Sequence, residues 1–471
     1  MIPALRFAAA GAALAIAASV AATGPAAAQT LEQALAQAYA TNPRLLAERA
    51  ALRATDEGVP TALSGWRPTV EITSGVGRRY LNNKPENARS SSSTTLPYNA
   101  GLILSQPLYR GGATVAETQA AEALVLAGRA NLLDVEQQIL LDVVTAYMNV
   151  VRDASVVELN INNEQVLERQ LQAARDRFEV GEVTRTDVSQ AEARLSDAQA
   201  LRVEAEGNLE ISRANFQRAV GTLPEGLESP DLSGMVSLPE SSVLALSVAE
   251  QRNPAVLRAG FLERSALHDI SAAGARLLPR VSLDGTLRRS MEPSSFFERS
   301  DEAQLSANVT VPLYQSGSEY ARVRELRQTA VQRRRELDDA RRAVREAIEQ
   351  SWERLVTTRA RIRAFVSSVT ANEIALDGVQ QEAAVGARTV LDVLDAEQEL
   401  FSARVNLVRA QSDEVIDSFT LLQVMGNMTA SDLALPVQPY DPVTHYDEVR
   451  NKWIGFGSDY QGGSPFELGL E

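Results

Sequence analysis

Asp392 and Asp395 stand three residues apart in the stretch VGARTVLDVLDAEQEL, Val385 to Leu400. That spacing puts both carboxylates on one face of a helix. Two acids so placed can draw cations, or do acid–base work if a cleft surrounds them. Gly386 and Arg388, just upstream, mark the turn that leads into this helix. A second version, VGEVTRTDVSQAEARL, begins at Val180, with Gly181 opposite Gly386 and Asp187 opposite Asp392. The two differ where chemistry is at stake: Gln190 stands opposite Asp395, and Val183 opposite Arg388. Thr184 to Asp187 and Thr389 to Asp392 also fit a capping box, in which the acid serves only to start a helix. Asp395 has no such duty.

The elements that must position these residues come from a duplication. Asn42-Pro43 returns as Asn253-Pro254, and Pro68 returns as Pro279, both 211 residues on (254 − 43 and 279 − 68). Past the polar stretch LNNKPENARSSSSTT the spacing becomes 205: Pro107 to Pro312, Gly112 to Gly317, Gly221 to Gly426. The six-residue difference falls in one segment, as a variable surface loop produces.

Each half repeats one order. A helix is expected from Leu31 to about Gly58, and again from Ser242 to about Arg276. Two alternating segments follow, expected as strands over 66–80 and 96–109, then 279–291 and 302–314. Period-two alternation around a polar loop predicts a hairpin, with the Asn/Ser-rich loop exposed. Next come tracts free of proline, 113–179 and 318–384. As helices they reach on the order of 100 Å, which suits a coiled coil and not a compact domain. In the last helix Leu394, Gln398, Phe401, Val405, Val408, Ser412, Val415, Phe419 and Leu422 form a heptad seam. At matching positions the first half carries Ser189, Ala193, Ser196, Ala200 and Val203, small residues that allow close packing.

Composition removes several functions. The chain has 471 residues, no cysteine and two histidines, His268 and His445, expected at the surface. Thiolate metal sites and Cys nucleophiles are excluded, and zinc or a Ser-His-Asp triad is disfavoured. A net charge of −15 argues against nucleic acid. No G-x-x-x-x-G-K-[ST] occurs. No cofactor or metal is expected. Residues 1–28 read as a signal peptide, with Arg6, the apolar run FAAAGAALAIAASVAA and AAA at Ala26 to Ala28. No later apolar run spans a bilayer as a helix, so a membrane crossing would use strands. Four strands cannot close a barrel; three copies give twelve and can.

This order of NP-x-L, strand hairpin, PLY-x-x-G, long helix and VG-x-x-T-x-x-D, stated twice, resembles the TolC-like outer-membrane efflux proteins, over the mature chain to about Met428. The resemblance implies a mainly α fold with a β-barrel portion. Each chain would contribute a duplicated β-hairpin and a long coiled-coil helical hairpin. Three chains would form a twelve-stranded outer-membrane barrel continuous with a periplasmic α-helical barrel. It implies repeats at 29–230 and 231–429 and a tail at 430–471. It places the helix–helix turns, at Gly181 and Gly386, at the tip near the inner membrane. The family's pore-entrance aspartates fall on Asp392 and Asp395. Its closed-state lock falls on Arg388, with Thr186 and Asp187 as partners. A tyrosine of that lock is replaced here by Ala383.

The function so implied is passive export through the outer membrane of a Gram-negative bacterium. The duct would serve a tripartite efflux or type I secretion system, with a periplasmic adaptor (membrane fusion protein) and an inner-membrane pump of RND or ABC type. It is not an enzyme, and its partners include outer-membrane lipid. The alternative is a periplasmic coiled-coil adaptor or scaffold with no membrane barrel. A secreted hydrolase fits poorly, because the long helices offer no cleft. The tail, rich in Pro and aromatics, is expected to pack along the outside of the helices, anchored by Tyr440, Tyr446 and Trp453.

Overall fold

The computed structural model describes residues 29–84, 86, 90–230, 237–294 and 297–456. The signal segment lies outside the described residues. In chain order the first half contains α1 (Leu31–Thr41), α2 (Pro43–Asp56), α3 (Gly58–Leu63), β1 (Thr69–Val76), β2 (Arg79–Asn83), β3 (Ser91–Thr95), β4 (Tyr98–Arg110), α4 (Ala113–Glu179) and α5 (Arg185–Val220). The second contains α6 (Ser242–Arg252), α7 (Pro254–Gly274), β5 (Arg280–Ser294), β6 (Phe297–Thr310), α8 (Ser318–Ala384) and α9 (Val390–Met425), followed by α10 (Thr444–Arg450).

The long tracts form as expected: α4 and α8 are 67 residues each. Each opens after a left-handed glycine, Gly112 or Gly317. The single helix expected at the head of each half is broken instead. Pro43 and Pro254 each start a new helix, because proline has no N–H to continue the old one. Asn42 and Asn253 cap these helices, accepting from Arg44 N at 3.0 Å and Ala255 N at 2.9 Å. Their amides donate to Ala219 O at 3.2 Å and Val424 O at 2.8 Å. The Asn-Pro motif therefore ties each break to the end of that half's second long helix.

The sheet has the order β1-β4-β5-β6, all antiparallel. Its register aligns Ile72 with Leu102 and Leu287, and Val70 with Leu104 and Gly285. Val70, Ile72, Val76, Leu102, Leu287, Leu305 and Val309 are exposed on that face. The opposite face is polar. There Asp284 accepts from Ser105 Oγ (2.6 Å), Ser282 Oγ (2.8 Å) and Asn308 Nδ2 (2.6 Å), joining three strands. β1 and β6 are open edges. The first polar stretch is not simply a loop. Part of it pairs as β2 with β3 in a separate ribbon, since Thr and Ser runs satisfy a ladder as well as water does. β6 ends at Thr310, so Pro312 to Tyr314 lie outside the strand expected there.

α4 packs against α5, and α8 against α9, with α9 also lying on α4. The α9 seam is confirmed in outline: Leu394, Val405, Ser412, Val415, Phe419 and Leu422 are buried. The seam expected on α5 is not its buried face. Ser189, Ala193, Ser196, Ala200 and Val203 are exposed, and α5 buries Ala191, Ala198, Ala205, Leu209, Ser212 and Phe216 instead. The α9 seam faces α4, whereas its equivalent on α5 stays exposed among the described residues of one chain. Inside each hairpin a hydroxyl meets a carboxylate. Ser212 Oγ donates to Asp153 Oδ2 in the first, and Thr358 Oγ1 to Asp417 Oδ2 at 2.8 Å in the second. Asp153 and Thr358 are duplication equivalents (358 − 153 = 205), so donor and acceptor have exchanged helices.

The tail packs on α2, α3 and α4. Arg49 stacks between Tyr39 (4.6 Å) and Tyr440 (5.1 Å), Arg129 on Tyr446 (5.3 Å) and Arg67 on Trp453 (5.1 Å). His445 is not a surface residue. Its Nδ1 lies 3.0 Å from Asp56 Oδ2, and Asp56 is 1 % exposed. A carboxylate that deep needs a partner, and the tail brings it one. His268 is half-buried. No helix is long and apolar enough to cross a membrane among the described residues.

Burial raises the pKa of Asp417, with the Thr358 hydroxyl opposing. Thr358→Val removes that donor at nearly constant volume and costs about 1–3 kcal/mol of stability. A carboxylate whose folded pKa is raised opposes folding most when ionised. The penalty is therefore full at neutral pH and shrinks as pH falls through the folded pKa. Denaturant unfolding of the variant at neutral and mildly acidic pH measures both.

Candidate functional site

Both long hairpins turn in the same way, and backbone geometry requires the glycines. Gly181 (φ 81°) and Gly386 (φ 76°) occupy the left-handed region. Gly181 N donates to Phe178 O (3.0 Å) and Glu182 N to Arg177 O (2.9 Å). Gly386 N donates to Ala383 O (3.2 Å) and Ala387 N to Glu382 O (2.9 Å). These paired bonds satisfy the last carbonyls of α4 and α8, and only glycine reaches that φ without strain.

Three residues later each hairpin re-enters a helix through a full capping box. Thr184 and Asp187 exchange bonds at the start of α5, and Thr389 and Asp392 at the start of α9. Asp392 Oδ2 accepts from Thr389 N (2.9 Å) and Thr389 Oγ1 (2.8 Å). These bonds, with Arg388 nearby, hold its carboxyl below the usual range. Asp187 is bound in the same way, accepting from Thr184 N at 2.7 Å.

The tips of the two hairpins meet. Leu394 is buried against Leu167, Leu171 and Ala174 of α4 and Ala191 and Ala198 of α5. Asp392 and Asp395 flank this anchor. Asp395 is exposed and accepts from Arg194 Nη2 of α5 at 2.8 Å. Sequence reasoning missed Arg194, which lies 201 residues away; nothing in its local pattern points to α9. Arg388 binds Glu382 Oε2 at 2.8 Å, across its own turn. Thr186 is exposed on α5. Among the described contacts of one chain, Arg388 meets neither Thr186 nor Asp187.

Two related bonds brace the hairpins above the turns. Arg175 Nη2 donates to Glu192 Oε1 at 2.7 Å, and Gln380 Nε2 to Glu397 Oε1 at 3.0 Å. Burial raises the Glu397 carboxyl, against the Gln380 bond and the charges of Arg404 and Arg169. A crevice between α4, α8 and α9 is lined by Gln170, Arg177, Gln380, Ala383, Val390 and Val393. Ala383 is small and half-buried, and it leaves this crevice open. Among the described residues no group of three or more His, Cys, Asp or Glu could hold a metal ion. Asp395 is exposed and Asp392 half-exposed, so the arrangement presents negative charge to solvent beside a mechanical joint between hairpins.

The outer membrane efflux protein family model matches residues 27–222 and 245–427. The outer membrane efflux protein BepC of Brucella suis biovar 1 is 34 % identical over 424 residues, 90 % of this chain and 91 % of that protein. The outer membrane protein TolC of Vibrio cholerae is 27 % identical over 404 residues, 84 % and 90 % of the two chains. Among solved structures, the outer membrane protein VceC of Vibrio cholerae superposes with a TM-score of 0.73 at 18 % identity, covering 84 % of this chain and 96 % of that one.

Thr389→Ala removes the helix cap beside Asp392 and costs the first turn of α9 about 1 kcal/mol. Amide hydrogen exchange over Val390 to Leu394 should quicken about fivefold, the factor which that energy sets. Exchange in α5 should be unchanged.

Proposed function

The chain belongs to the outer membrane efflux protein family, and from that premise we propose that it is the outer-membrane exit duct of a tripartite efflux or type I secretion system. It is a passive homotrimeric channel, gated at its periplasmic tip. The observation that carries this reading is the sheet. One face exposes Val70, Ile72, Leu102, Leu287, Leu305 and Val309, the other carries the Asp284 network, and both edges are open. An apolar outer face suits lipid, but open edges do not survive in lipid. Copies of the chain close the wall by pairing β6 of one with β1 of the next, four strands from each of three. The same face argues against a periplasmic scaffold, whose sheet would stand in water.

The helical hairpins extend the duct through the periplasm. At about 1.5 Å per residue α4 and α8 each reach on the order of 100 Å. Three copies bring three Asp392 and three Asp395 side chains around one axis. Rings of carboxylates favour cations, as in cation-selective pores. Arg388, held by Glu382 within its own chain, locks the closed tip by meeting the Thr186–Asp187 turn of a neighbouring chain. An adaptor opens the tip by binding the open state more tightly than the closed one, and an inner-membrane pump of RND or ABC type supplies the energy.

Single-channel recording in a planar bilayer tests the gate. The mature protein should show a small cation-selective conductance blocked by trivalent cations from the periplasmic side. Asp392→Asn with Asp395→Asn should relieve the block and lower the selectivity. Within one chain the Thr389 bonds lower the Asp392 pKa, whereas like charges around the axis raise it, so an acid titration of the block reads which of the two prevails. Block unchanged in the double variant would remove these acids from the gate.

Arg388→Ser should raise the resting conductance and admit larger antibiotics into cells. A variant with wild-type current and wild-type resistance would show that Arg388 does not hold the tip shut.

A further inference from the structure

The duplication relates a surface that is covered in this chain to one that is bare. Within the chain, α9 and the residues after it lie along α4. Ser412 Oγ donates to Met148 O (3.2 Å), Gln423 Nε2 to Gln138 Oε1 (3.3 Å) and Ala430 N to Glu136 Oε1 (2.8 Å). Met428 is fully buried in the same core. Shifting each partner by the 205-residue repeat carries α4 onto α8, and α9 onto α5. Glu136 becomes Arg341 (136 + 205), Ala430 becomes Glu225 (430 − 205) and Met428 becomes Leu223 (428 − 205).

Within one chain α5 does not lie on α8, so this second seam needs another copy. Its two sides have matching chemistry. On α8, Arg341 and Arg342 are exposed beside Arg345, Glu346 and Glu349, and Arg345 already reaches Glu250 at 3.4 Å. After α5, Glu225 and Glu228 are exposed. The backbone there is held in place: Gln29 N donates to Glu225 O (3.3 Å) and Tyr147 Oη to Glu228 O (2.8 Å). The carboxylates are thus presented from an anchored segment. Leu223, two residues past Gly221 as the buried Met428 is past Gly426, is 60 % exposed in the single chain. Glu136, the acid of the covered seam, has become an arginine at the bare one, and the segment opposite has gained an acid in place of Ala430.

We propose that the acidic segment Leu223–Glu228 of one copy docks on the Arg341–Arg342 patch of α8 in the next copy. Glu225 meets Arg341, and Leu223 is buried beside them. Guanidinium–carboxylate contacts fix orientation as well as adding attraction, so the patch sets the register between neighbouring copies. This rests on the homotrimer reading above.

The chain has no cysteine, so the contact can be probed in the full-length protein. Arg341→Cys and Glu225→Cys in one chain, treated with a short bismaleimide in detergent, should move the monomer band to covalent dimer and trimer. Arg341→Cys with Glu86→Cys, at the far end of the molecule, should not. Light scattering on the untreated protein separates the two readings. A trimer whose cysteine pair yields only monomer mass overturns this contact and leaves the trimer standing. A monomer overturns both. Arg341→Glu with Arg342→Glu should weaken the trimer, and Glu225→Arg with Glu228→Arg should restore it. Failure of the second pair to restore a folded but weakened trimer also overturns the contact.

Discussion

Backbone hydrogen bonding at the two edges of the sheet is the constraint on which the rest depends. β1 and β6 each carry an outer row of N–H and C=O groups with no strand partner among the described residues. Water could satisfy them, but the apolar face of the same strands is built for hydrocarbon. Lipid satisfies neither group, so the sheet is incomplete as a single chain. The strand count and the facing pattern therefore support the trimer proposed above. The polar face follows from the same logic: Asp284, fixed by Ser105, Ser282 and Asn308, is tolerable only where it lines water.

The helices answer a different requirement, which is to stay in register over a great length. Two buried hydroxyl–carboxylate pairs do this, one inside each hairpin. Their exchange of donor and acceptor between halves shows that the contact was kept while its chemistry was free to swap. The halves diverge where their neighbours differ. α9 buries Val415, Phe419 and Leu422 against α4, a largely apolar seam inside one chain. The matching face of α5, with Ser189, Ala193, Ser196, Ala200 and Val203, is exposed in the single chain. The joint between hairpins at the tip is mixed. Leu394 anchors it, and the Arg194–Asp395 pair spans its exposed side.

The tail adds a strap across the first half. Its aromatics hold Arg49, Arg129 and Arg67 by stacking, and His445 reaches the buried Asp56. Burial raises the Asp56 carboxyl, and His445 opposes that shift through its hydrogen bond and its charge. Tyr440, Tyr446 and Trp453 could be named as anchors from sequence, because aromatics in a Pro-rich tail have few other uses. The arginines that they cover lie hundreds of residues away and could not be named.

By itself the sequence determined what depends on local periodicity and on repetition. The proline-free tracts set the long helices to the residue, and paired glycines set the turns. Threonine and aspartate three apart set the caps, and alternation marked the four sheet strands and their apolar face, though not the end of β6 or the β2–β3 ribbon. It also carried the resemblance to the outer-membrane efflux proteins, which the comparisons bear out. Tertiary structure decided what depends on which faces meet. It chose Ala191, Ala198 and Ala205 over Ser189 and Ala193 as the buried side of α5. It gave Asp395 an arginine from the other hairpin, gave Arg388 a glutamate from its own turn, and set a half-buried His445 against Asp56. Helical periodicity specifies faces but not their neighbours, and small residues such as Ala and Ser suit either side of a helix. The choice between them belongs to the packing.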